Sequence, residues 1–113
     1  MTDQPALQAA LMPERIQRRR TKGWRMPEGV IYVGRPTKWG NQFVVGRYNF
    51  VLKRNLTQQD CVDQYRNKIE MNTLLRFNLF DIVTELKGKD LACFCKLSDP
   101  CHADVLLELA NHA

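Results

Sequence analysis

Three of the four cysteines and one of the two histidines fall within ten residues, as Cys93-Phe94-Cys95 and Cys101-His102, with Asp104 two positions further on. These side-chain types hold soft metal ions or act as nucleophiles. A zinc site needs about four nitrogen or sulfur donors in a tetrahedron, and Cys93, Cys95, Cys101 and His102 supply such a set. Three of them with an open fourth position would serve as a variant. The spacing departs from paired Cys-x-x-Cys knuckles. Consecutive residues of a helix also point about 100° apart, so Cys101 and His102 reach one ion only with local distortion.

A second chemistry makes Cys101 a thiolate. At the start of a helix the free backbone N–H groups and the dipole favour negative charge, and His102 and Asp104 lie close enough in sequence to act as base or acid. The catalytic candidates are therefore Cys101, His102 and Asp104. In a third arrangement Cys93 and Cys95 are small buried hydrophobes, and the other three only cap the helix. A zinc deaminase is excluded, because its separate His-x-Glu and its second cysteine two residues beyond the first are both absent.

These residues need positioning. Leu91 to Cys95 predicts a short buried strand, and Asp99-Pro100 predicts the cap and first position of a helix reaching about Asn111. Cys93 and Cys95 then share one strand face, with Cys101 and His102 in the first turn of the helix. Gly29 to Gly34 predicts the central strand of the sheet, since Val30 to Val33 are β-formers bracketed by glycines. Phe43 to Val45 predicts another short strand, while 47–56 reads equally as hairpin or core cover. Thr57 caps a helix to about Glu70, with Cys61, Val62, Tyr65 and Ile69 on its apolar stripe, which places Cys61 in the core. A further helix is expected from Asn72 to Leu86, with Leu75, Leu79, Ile82, Val83 and Leu86 on one face and Gly88 as its stop.

A strand, a helical excursion and a second strand imply a crossover, and crossovers make parallel neighbours. The expected fold is α/β: a single small domain over 12–113 after a flexible leader at 1–11, with a short, mostly parallel sheet flanked by about three helices. The loops after Val33 and Cys95 would then share one edge.

The net charge of +5 is unevenly spread. Residues 1–56 hold eleven Lys or Arg against three acids, whereas 57–113 hold six against nine. The basic half carries two clusters. One contains Arg20, Lys22, Trp24 and Arg25; the other, directly after the Gly29 to Gly34 strand, contains Arg35, Lys38, Trp39 and Asn41. Cations beside indoles suit phosphate contact combined with base stacking, and loops at strand ends leave polar groups free for a ligand. In the alternative the first cluster is a solvated segment with Trp24 over the core edge. The second is then a tight turn with Trp39 plugging the core.

With 44% hydrophobic and 26% charged residues the composition is that of an ordinary soluble domain. No apolar run approaches the roughly 18 residues of a membrane span, and Met1-Thr2-Asp3-Gln4-Pro5 lacks the order of a signal peptide. A cytoplasmic protein with reduced cysteines is expected.

Taken together, Met12 to Gln17, Arg19 to Arg25, Gly34 to Asn41, Gly88 to Cys93, Cys95, and Cys101 to Asp104 resemble a bacterial and bacteriophage family catalogued as domain of unknown function 4326. The likeness runs from Met12 onward. The chain departs from the family's pattern at Gln42, where proline is expected, and at Phe94, where tryptophan is common. The resemblance implies a phage or prophage setting in a bacterial host and contributes no mechanism. Two main functions follow: a domain that binds a nucleotide, nucleoside or nucleic-acid phosphate and acts on it, or a zinc-stabilised module that binds nucleic acid without catalysis. A phage effector directed at a host protein is the residual alternative.

Overall fold

The computed structural model describes residues 12–73 and 76–112. Its organising strand is β5 (Leu91–Cys93), every residue of which is buried. An apolar tripeptide can be covered on both faces and still satisfy its backbone only if strands flank it on both sides. On one side lies β1 (Arg15–Gln17) and on the other β2 (Ile31–Tyr32), both parallel to β5, so the order is β1-β5-β2. The register pairs Gln17 with Cys93 and Tyr32 with Ala92. Two bonds extend it past the strands, Arg18 N–H to the Cys93 carbonyl (2.8 Å) and Val33 N–H to the Ala92 carbonyl (2.9 Å).

The parallel pairing of the two apolar strands is therefore as expected, with one correction. The Gly29 to Gly34 strand is an edge strand, and the centre belongs to β5. Apolar character reports how well a strand is covered, not how many neighbours it has. The third strand, β1, has a basic and amphipathic sequence that carries no such signal.

A separate antiparallel pair joins β3 (Tyr48–Asn49) to β4 (Arg54–Asn55). Asn49 closes the hairpin, its side-chain oxygen accepting from the N–H groups of Val51 and Leu52. The expected strand at Phe43 to Val45 does not form. Phe43 N–H is instead taken by the Asn41 side chain (2.9 Å), and the chain turns at Gly46, where φ is +89°.

Helix α1 (Gln58–Glu70) starts at Thr57 with a capping box: Thr57 and Asp60 each accept the other's backbone N–H through their side chains. Cys61, Val62, Tyr65 and Ile69 are its buried face, as the spacing predicts. Helix α2 is shorter than expected, Leu79–Leu86, because Asn78 and Asp81 form a second capping box that fixes a new start. Leu75, expected on its apolar face, lies outside the described residues, as does the leader at 1–11. Helix α3 (His102–His112) packs against α1, α2, β1 and β5. The core between them includes Val33, Tyr65, Ile82, Leu86, Leu91 and Leu106.

Candidate functional site

Because β1, β2 and β5 are parallel, their carboxyl ends meet at one edge, and the residues that follow them are brought together there. These are Arg18 to Arg20 after β1, Gly34-Arg35 after β2, and Phe94-Cys95 after β5. Between them and α1 lies a cavity of about 350 Å³, whose wall includes Arg20, Tyr32, Arg35, Cys93, Cys95 and His102.

Two of the cysteines, Cys93 and Cys95, line the cavity, and Cys101 is buried beside them. The Sγ atoms of Cys93 and Cys95 are 3.7 Å apart, and those of Cys93, Cys95 and Cys101 all lie within 4.8 Å of one another. All three are free thiols. Two sulfurs each about 2.3 Å from a tetrahedral zinc are roughly 3.8 Å apart, so the Cys93–Cys95 separation fits a shared ion without rearrangement. The three cysteines can hold a metal ion.

Hydrogen bonds from Cys101 and then Cys95 hold the Cys93 thiol well below its ordinary range, and the reciprocal interaction pushes Cys101 up. The trio thus accommodates one thiolate readily, with the charge on Cys93. Gln58, in the first turn of α1, donates its amide to Cys95 Sγ (3.7 Å) and to the Pro100 carbonyl (2.9 Å).

His102 touches one of the three sulfurs but does not join the cluster that all three form. Its Nε2 lies 2.7 Å from the Val33 carbonyl, so that nitrogen must carry the proton, and Nδ1 lies 3.7 Å from Cys101 Sγ. Burial, above all, lowers its pKa and keeps the ring neutral. The expected clash of Cys101 and His102 on one helix does not arise, since Cys101 precedes the helix and receives the Asp104 N–H on its carbonyl. Cys101 is fully buried. Asp104 turns away from His102 towards Arg15 Nε, 3.3 Å distant. Of the suggested Cys101, His102 and Asp104 set, the structure brings Cys101 and His102 into contact, while the His102 ring is oriented by the Val33 carbonyl and Asp104 pairs with Arg15.

Arg15 holds the loop that carries the cluster. Its Nη2 donates to the carbonyls of Leu97 (2.8 Å), Asp99 (2.8 Å) and Lys96 (3.3 Å), while the side chain is only 8% exposed. Residues 96–99, which separate Cys95 from Cys101, are thereby wrapped around one guanidinium.

The mouth of the cavity is built from stacked cations and rings. Arg18 lies over Tyr32 (4.4 Å to the centroid) and Phe94 (5.3 Å), and Arg20 over Phe94 (4.2 Å). The Tyr32 hydroxyl donates to the Arg35 carbonyl (2.8 Å), folding its ring across Gly34. A Cβ at Gly34 would lie 2.4 Å from that hydroxyl oxygen, so glycine is what permits this position of the ring.

The remaining candidates divide. Arg20 and Arg35 face the cavity, and Asn41 lines it while bonding the Cys61 carbonyl (3.0 Å). Trp39 is a core residue at 5% exposure, packed on Phe77, with its carbonyl accepting from Tyr65 (2.6 Å). It therefore has no free face for a base, which corrects that expectation. Lys38 pairs with Glu85 (2.7 Å) and lies over the Trp39 ring. Lys22, Trp24 and Arg25 are outside the cavity wall.

Arg15, Arg18, Tyr32, Gln58 and Phe94 were not singled out from the sequence. The parallel pairing alone could have found Tyr32 and Phe94, which follow adjacent strand positions. No signal marks Arg15 or Gln58, whose roles depend on carbonyls far away in the chain.

The molecule is thus a small α/β protein with a three-cysteine centre and an arginine-lined cavity at the carboxyl edge of a parallel sheet. It belongs to the family described as Domain of unknown function (DUF4326), whose model matches residues 16–112. No curated protein and no solved structure matches the chain.

Proposed function

We propose that the protein binds a nucleotide or nucleic-acid phosphate in the cavity at the sheet edge, beside a zinc ion held by Cys93, Cys95 and Cys101. The observation that carries this reading is that Arg20 and Arg35 line one cavity of about 350 Å³ together with Cys93 and Cys95, two members of the sulfur trio, a volume within the usual range for small-ligand sites. Arg20 and Arg35 supply the charge for phosphate, and the Arg18–Tyr32–Phe94 stack offers planar surfaces to a base. When bound, zinc on three thiolates would supply a Lewis acid with one position left for an outside ligand. Gln58 and Arg15 orient the sulfurs. His102, neutral and anchored on Val33, fixes the turn into α3.

Binding is favoured over thiol catalysis because Cys101, the candidate nucleophile, is fully buried and absent from the cavity wall. No described helix is long and apolar enough to cross a membrane. Action in the cytoplasm of a bacterial host, where thiols stay reduced, suits the cluster.

Elemental analysis and nucleotide titration test the reading together. About one zinc per chain is expected, with loss on Cys93→Ser or Cys95→Ser. Arg35→Ala should weaken nucleotide binding about tenfold or more, the scale of a lost charge-assisted phosphate contact. Metal-free protein whose nucleotide affinity is indifferent to Arg35→Ala would overturn it.

A further inference from the structure

The central cavity does not stand alone. On one side it shares Arg20 and Phe94 with an open cleft of about 570 Å³ that also contains Arg18 and Arg19. On the other it shares Arg35 and Asn41 with a cleft of about 350 Å³ that contains Lys38 and Arg76. One nucleotide fills the middle, which leaves two cation-bearing clefts, each bordering it through shared residues, unused.

From this succession of clefts we infer that the ligand is a single-stranded polynucleotide that crosses the central cavity and lies in both flanking clefts. The inference rests on the phosphate-binding reading of the central cavity and adds the ligand's polymeric class. Three features favour it. Arg19 at one end and Arg76 at the other give phosphates anchors outside the central cavity. The guanidinium–ring stacks at the mouth can be extended by an unpaired base, whereas a duplex keeps its base faces covered. The cations also sit on loops inside concave clefts. Neither a helix nor a two-stranded ribbon presents them to a groove.

The test is fluorescence anisotropy with the full chain and labelled oligothymidylates and oligouridylates of two, four, eight and twelve nucleotides. Thymidine and uridine monophosphates and a duplex of equal length serve as competitors. Affinity should rise at least 100-fold from mononucleotide to octamer, in the DNA series, the RNA series or both. Arg19→Ala and Arg76→Ala should each weaken octamer binding about fivefold while changing monophosphate binding less than twofold. Arg35→Ala should weaken both.

With Arg19, Arg20, Arg35 and Arg76 engaged, the salt slope should be about −3, or roughly a 50-fold loss between 50 and 200 mM salt. A monophosphate that competes as well as the octamer, with the two end variants silent, overturns the polymeric ligand and leaves the proposed function standing. Loss of all binding sensitivity to Arg35→Ala removes both. A duplex that binds more tightly than the single strand overturns the inference alone.

Discussion

Replacing Arg15 by alanine should loosen the cysteine centre from behind without touching a sulfur. Two of its bonds, to the carbonyls of Leu97 and Asp99 at 2.8 Å, are well formed and charge-assisted; the third, to Lys96 at 3.3 Å, shares the same nitrogen. A hydrogen bond to a charged group contributes about 1.5–3 kcal/mol. These carbonyls lie near solvent and regain water once the guanidinium leaves, so the low end applies. The Asp104 partner is half exposed, and such a pair adds at most about 1 kcal/mol. Against this, Nη1 is buried with no hydrogen-bond partner among the described residues, and removing it recovers part of the loss.

The net cost is about 3 kcal/mol, or a fall in Tm of about 10–15 °C for a chain of this size. Arg15→Lys, with one compact ammonium instead of a fork, should lose about half as much. Because residues 96–99 would no longer be held between Cys95 and Cys101, zinc affinity should also fall about 10–100-fold, the usual effect of removing a group that supports metal ligands. Thermal unfolding and competition with a zinc chelator read the two effects. A variant with Tm within 3 °C of the parent and unchanged metal affinity would refute the role given to Arg15.

Two further outcomes follow from local geometry. The Asp60 carboxyl is pulled down to about 2 from an ordinary 3.8, first by its hydrogen bond to Arg54 and then by the Thr57 backbone. Its folded pKa is depressed, so its stabilisation is complete above about pH 4 and fades as pH falls towards 2; Asp60→Asn should flatten the Tm–pH curve in that window, and an unchanged acid limb would contradict the assignment. Gly34→Ala would place a methyl 2.4 Å from the Tyr32 hydroxyl oxygen, so the ring must swing out of the cavity mouth. Stability should drop by about 1–3 kcal/mol and nucleotide affinity about tenfold, measured by unfolding and titration; wild-type values for both would show that the ring is not held there.

How much of this was legible depended on whether the cause was local. The Thr57 cap, the buried stripe with Cys61, and the parallel pairing of 31–33 with 91–93 follow from spacing and crossover rules that act within one segment or between two apolar ones. β1 was not legible, because Arg-Ile-Gln shows no period and Arg15 is buried only by carbonyls about eighty residues later. The start of α2 was misplaced for the opposite reason: the leucine pattern runs on through 72–77, and the Asn78–Asp81 box overrides it. Trp39 belongs to the core because Tyr65 and Phe77 reach it from other elements, a contact that the Lys-Trp-Gly-Asn loop does not announce.

The charge balance of the site bears on how a ligand would lie in it. Three thiolates around a divalent ion leave the centre with a net charge of about −1, which repels phosphate at short range. Arg15 does not offset this at the cavity, since its guanidinium is held by the Lys96, Leu97 and Asp99 carbonyls and Asp104 and is not part of the cavity wall. Arg20 and Arg35, the arginines that line the cavity, are the groups that can. Under the proposed function, phosphates therefore follow the arginines and the sulfurs meet a neutral part of the ligand, a base edge or a sugar hydroxyl. The division between repelling sulfurs and attracting arginines thus suits a strand passing over the centre better than a phosphate ending at it.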